Sequence, residues 1–239
     1  LTTDDLYIGY HTTGLPSSGQ SANASGTVNV NGTAVLNVNN SITLGRKLGS
    51  SNPTGNLNVA SNAVVNVKGS IEPSGSGNSS VNNSGLINLQ PEGDATKGNL
   101  ASGTLPGFGR VTNANNVTVY STLSPGTGMA AGQLDIDGNF IFGNNGGYTF
   151  NASSTAAAGN DILKVTGNLT LASNLVTLVP LGAELQTGSY RLIEYEGALS
   201  GYLRFVNGTR YNLDLDYGTT NQVSLNVSGG SPESLKWNS

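Results

Sequence analysis

Between Asp161 and Gly201 apolar and polar side chains alternate in short runs. Ile162, Leu163 and Val165 form one run, Leu169 and Leu171 the next, then Val176 and Leu178, then Tyr190, Leu192 and Ile193. Gly167-Asn168, Gly182 and Gly188 break the runs apart. Alternation interrupted this often by turn formers predicts half-buried β-strands joined by tight turns, without a helix.

Upstream the pattern recurs with a fixed period. Residues Ser25 to Leu44 (SGTVNVNGTAVLNVNNSITL) match Thr54 to Ile71 (TGNLNVASNAVVNVKGSI): Gly26 with Gly55, Asn29 with Asn58, Val38 with Val67 and Ile42 with Ile71, all 29 residues apart. A degenerate third copy begins at Ser84-Gly85-Leu86-Ile87-Asn88-Leu89. Such repetition predicts a solenoid, because one unit cannot bury its own apolar face and must stack on its neighbours. Val and Leu then point inward and Asn, Thr and Ser outward, with rungs about 4.8 Å apart. Gly-Asn and Asn-Gly supply the positive φ of tight corners. Inward Asn would form stacked amide ladders; the simpler expectation turns most of these Asn to solvent.

The rest of the chain divides accordingly. Residues 1–24 read as an N-terminal strand (Leu6 to Tyr10) and loop, serving as a cap or assembly segment. Residues 25–112 read as solenoid repeats with a long loop or rung insertion near 90–109, where Gly and Pro break the pattern. Residues 113–229 continue the solenoid. Within them Val117 to Tyr120 resume the strand pattern, Ser121 to Gly132 form a turn region, and Leu134, Ile136, Phe140 and Ile141 or Phe142 are core candidates. Tyr148 and Phe150 open another strand, Ser153 to Gly159 form an Ala-rich loop, and Tyr202 to Val206, Tyr211 to Tyr217 and Val223 to Val227 are the last strands. Residues 230–239 are a linker and β-prone tail.

Composition narrows the class. Charged residues make up only 10% and Gly numbers 34, which argues against a helical protein. The hydrophobic share of 36% is too high and too periodic for disorder. A net charge of −4 offers no basic footprint for nucleic acid. No apolar run has the length of a membrane-spanning helix. Cysteine is absent, which excludes disulfides and Cys-based metal sites and fits an exported chain. The chain opens on Leu1, and the expectation is that processing removed an N-terminal segment.

Leu123-Ser124-Pro125-Gly126, then Gly132-Gln133-Leu134 leading to Gly138-Asn139-Phe140, resembles the repeat of autotransporter passenger domains. So do Asp161 to Gly167 (DILKVTG), Gly188 to Ile193 (GSYRLI), Leu199-Ser200-Gly201 and the closing stretch Tyr217 to Val227. The resemblance covers about Asn113 to Gly229 and extends to autotransporter-associated β-strand repeat proteins. It implies an all-β, right-handed parallel β-helix, secreted or held at a bacterial cell surface and often adhesive. Against that pattern, the expectation is a chain without the outer-membrane barrel. The resemblance then implies a cleaved passenger or a secreted protein that never carried a barrel. Leu235-Lys236-Trp237-Asn238 resembles the opening of a further unit.

Chemistry-bearing residues are sparse. His11 is the sole histidine and sits in a loop-like stretch without a nucleophilic Ser motif, so it reads as solvent-exposed. Asp135-Ile136-Asp137-Gly138-Asn139 is similar to a calcium loop, but its Gly falls too early for that pattern. Alternation accounts for it, with Leu134 and Ile136 inward and Asp135 and Asp137 outward; whether that pair holds a cation stays open, and Asp214 and Asp216 read the same way. Asn116-Val117-Thr118 and Asn207-Gly208-Thr209 are glycosylation triplets that arise by chance in so Asn-rich a chain. Tyr190, Tyr195, Tyr202, Phe205, Tyr211 and Tyr217 make either a sugar-binding platform or, more simply, strand packing.

The expectation is a non-enzymatic extracellular structural or adhesive solenoid without cofactor. Its copies join end to end or by strand addition through Leu6 to Tyr10 or Ser234 to Trp237. The alternatives are a glycan- or host-surface-binding module and a carbohydrate-active enzyme.

Overall fold

Every third strand in chain order comes to lie beside its predecessor, in parallel, over most of the molecule. The structure, a computed structural model, describes residues 1–10, 24–46, 53–73, 79–91, 94, 96–127, 129–144, 146–182, 184–205 and 211–229. Among the described residues there is no helix, and the strands form two sheets. The larger sheet divides into two stacks, so the chain runs through three strand stacks in turn, an all-β arrangement consistent with a β-helix or solenoid. His11, Asn207 to Thr209 and the tail from 230 onward lie outside the described residues.

The register shows why the pattern works. In the first stack Leu36, Val65, Ile87, Val111, Ile136, Val165 and Tyr195 pair in succession. All seven are buried. In the second, Leu6, Ile42, Ile71, Leu100, Val117, Phe140, Leu169 and Leu199 do the same. In the third, Leu105, Leu123, Tyr148 and Val176 continue into Phe205. These columns meet in one lengthwise core. Each aliphatic side chain buried there contributes about 1.5–3 kcal/mol, which a single coil exposed on both faces could not collect.

Two stretches depart from the sequence expectation. Residues 90–109, expected to be a loop or insertion, carry the nine-residue strand Asn99–Gly107. Ser121 to Gly132, expected to be a turn region, is strand as far as Thr127, within Asn116–Thr127. Its end pairs antiparallel with Ala130–Ala131. These two long strands pair with each other and run through both the second and third stacks, so their coils lack one corner.

At the N-terminal end, Thr2–Thr3 and Leu6–Ile8 pair within their own chain, against Val35–Val38 and Ile42–Leu44. At the other end the parallel pattern stops. Gln222–Ser228 turns back antiparallel on Gly188–Tyr195, and Asn212–Asp216 pairs antiparallel with it.

Candidate functional site

The outward side chains sort into faces of different chemistry. On the first stack Arg110, Asp135, Lys164, Glu194 and Gln222 lie in one register column, so acid and base alternate from rung to rung. Lys164 Nζ is 3.3 Å from the Glu194 carboxylate, which also meets Arg191. This column and its neighbour line a groove of about 590 Å³, closed at one end by the turn at Thr220-Asn221.

Asp135 and Asp137 face outward, alternating with the buried Leu134 and Ile136, as alternation predicts. Asp135 accepts the Gln133 side-chain amide at 2.7 Å, and Asp137 accepts the Thr166 hydroxyl at 3.0 Å from the next coil. Among the described residues no three His, Asp or Glu side chains gather as a metal site would require. Asp216 accepts the Gly218 N–H at 2.8 Å and so shapes the turn that follows its strand.

The aromatic set expected as a platform is not one surface. Tyr190 and Tyr195 are buried, and Phe205, Tyr211 and Tyr217 pack against the core. Their hydroxyls serve the fold: Tyr190 donates to Gln186 and Ser154 carbonyls, and Tyr211 accepts the Leu185 N–H at 3.0 Å. Only Tyr202 of that set is exposed, at 57%. Tyr120, expected in a strand and without a site role, is 51% exposed. Tyr7 and Tyr10 form a second exposed aromatic group, with the Arg46 guanidinium 4.8 and 4.9 Å from their ring centres.

The third stack contrasts with the first. None of its strands from Ser25–Val30 to Asn174–Pro180 contains a charged residue. Over its first three coils the outer face carries amide and hydroxyl groups bonded from rung to rung. Asn58 donates to Asn29 at 2.6 Å, Asn82 donates to Asn58, and Ser80 donates to Asn56 at 2.8 Å. A similar ladder, Asn37–Asn66–Asn88, runs over the first stack. The Asn ladders therefore exist, but on outward rather than inward positions. At the corner before the second stack, side-chain oxygens accept the N–H of the next coil: Ser41 from Ser70, Ser70 from Asn99, Asn139 from Asn168 and Asn168 from Ala198. Asn116, the first residue of a glycosylation triplet, belongs to this corner and donates to Asn99 at 3.1 Å.

Among the described residues one carboxylate lies inside, with buried tyrosine hydroxyls beside it in the core. The Asp161 carboxylate is buried and accepts the N–H of Gly132 and of Asn151, each at 2.9 Å. Burial pushes its pKa up to about 6 despite those two donors. Tyr148 is buried too and donates to the Leu192 carbonyl at 2.9 Å. Burial first, and then the Asp161 charge, raises its hydroxyl well above the ordinary tyrosine range. Asp161 joins adjacent coils, and among the described residues it belongs to no cluster of three His, Asp or Glu side chains.

Compared with known protein families and with curated proteins, the chain matches none.

Proposed function

We propose that this chain is an extracellular structural or adhesive protein of bacterial origin, non-enzymatic, built as a right-handed parallel β-helix of the autotransporter passenger kind. The observation that carries the reading is how the polar side chains are used. Asn, Ser and Thr on successive coils are committed to one another along the outer faces and corners, while the columns beneath them are mainly apolar. Such an arrangement builds a long, stiff body with broad faces, suited to holding or presenting surface rather than to moving protons. Secretion, cell-surface location and association of copies, end to end or by strand addition, belong to the same reading.

The test applies the purified chain to immobilised cell-surface material and to soluble polysaccharides in parallel. Retention on surfaces without release of reducing ends is expected. Turnover that disappears on replacing a single Asp or Glu would overturn the reading in favour of a carbohydrate-active enzyme.

A further inference from the structure

We propose that the outer face of the third strand stack binds an extended, uncharged polysaccharide, with Tyr120 and Tyr202 as the rings on which its sugars stack. The proposal rests on the adhesive reading above and gives it a ligand class and a surface.

Charge is the first argument. The strands of this stack are free of charged residues until Arg204, on the last parallel strand, Leu203–Phe205. A charged polymer laid here would lose hydration without meeting a counter-ion, whereas a neutral one exchanges hydroxyl–water for hydroxyl–amide hydrogen bonds. The mixed-charge face of the first stack has the opposite character.

Preorganisation is the second. In the Asn29–Asn58–Asn82 ladder Asn58 uses one amide hydrogen and its oxygen on its neighbours. Its second hydrogen and a remaining lone pair are left for solvent or a ligand. Because the ladder already holds the side chains, a ligand that meets them does not have to order them.

The aromatic residues are the third. Tyr120 and Tyr202 each stand just before the part of their coil that enters the third stack, on the same edge of the face. Their coils are three apart, about 14 Å along the stack. The Tyr120 ring lies against Gly143 of the next coil, where an added Cβ would come within 2.9 Å of it. The ring is thereby held against the protein on one side while half of the residue stays exposed, the kind of anchored aromatic surface on which a sugar stacks.

The experiment is co-sedimentation of the intact chain with insoluble cellulose and chitin, both neutral, and with an acidic pectate gel. The variants are Tyr120→Ala, Tyr202→Ala and Asn58→Asp, with Glu196→Gln on the first-stack groove as control and circular dichroism to establish folding. Retention on a neutral polymer is expected, with each Tyr variant weakened about tenfold. Asn58→Asp should weaken it as well, and Glu196→Gln should leave it unchanged. Retention on pectate alone, no retention on either neutral polymer, or retention indifferent to both Tyr variants would overturn the proposal while leaving the adhesive reading intact. An oligomer that Tyr120→Ala dissociates without altering polymer binding would assign the face to a second copy and overturn it too. Release of soluble sugar would overturn the adhesive reading itself, and this proposal with it.

Discussion

The Tyr217 hydroxyl accepts the Leu203 N–H at 2.7 Å and lies 3.3 Å from the Leu203 carbonyl oxygen. Leu203 begins the last parallel strand of the third stack, whose other edge pairs with Asn174–Pro180. One phenol thus satisfies two backbone groups that a further coil would otherwise pair. Tyr217→Phe keeps the ring and removes both bonds. It should cost about 1–3 kcal/mol, read as a lower urea midpoint with an unchanged slope. An unchanged midpoint would mean that solvent serves these groups equally well.

Gly201 makes the approach to that strand possible. It adopts φ +81°, and a Cβ there would sit 1.9 Å from the Leu171 carbonyl oxygen. Gly201→Ala therefore meets both backbone strain and a collision, and should destabilise by more than the roughly 1 kcal/mol of an ordinary Gly replacement. A melting temperature equal to that of the parent chain would show that the coil yields at this corner.

Leu163 is wholly buried between Leu134 and Ile193 in the first-stack core. Leu163→Ala should cost about 2–5 kcal/mol. In a stack of coils the loss falls on the neighbours that share the interface, so amide hydrogen exchange should accelerate in the adjacent coils more than at Val65. Uniform acceleration along the chain would indicate one indivisible cooperative unit.

Asp161 predicts a pH dependence of definite sign. Its pKa is raised in the folded chain, from the ordinary 3.8 to about 6, so the folded state favours the protonated carboxyl. The stabilisation is fully present below about pH 4 and is lost as pH rises through about 6. Asp161→Asn should flatten this part of the profile. Urea titrations from pH 4 to pH 8 on both chains check it, and parallel profiles would exclude Asp161 as the source.

How far the sequence could be read depended on spacing. The strands from Ser25 to Ile71 repeat every 29 residues, and their pairing follows that offset throughout. Beyond them the first-stack column from Val65 through Ile87, Val111, Ile136 and Val165 to Tyr195 advances by 22, 24, 25, 29 and 30 residues. A fixed-period comparison loses register there. The strand Asn99–Gly107 was also hidden by Gly103, Pro106 and Gly107, residues that locally signal a turn but here lie in a strand flanked on both sides. The antiparallel ending was invisible for a different reason: alternation in Asn212–Asp216 and Gln222–Ser228 reports burial, not strand direction. Of the surface features, Asp135 and Asp137 lie where alternation puts them. The uncharged face depends on which strand of each coil is the third, and the exposure of Tyr120 on the corner it occupies, neither of which local alternation encodes.

The account depends on successive coils lying in the register described, and a chain without cysteine allows a direct test. Asn37 and Asn66 are register partners on outward positions. Introduced together, Asn37→Cys and Asn66→Cys should oxidise to a disulfide in the folded chain, since adjacent rungs place Cα atoms within the roughly 4.4–6.8 Å a disulfide spans. Asn37→Cys with Lys68→Cys, two residues out of register, should not close. Closure of the shifted pair, or of neither, would contradict the stacking on which the rest is built.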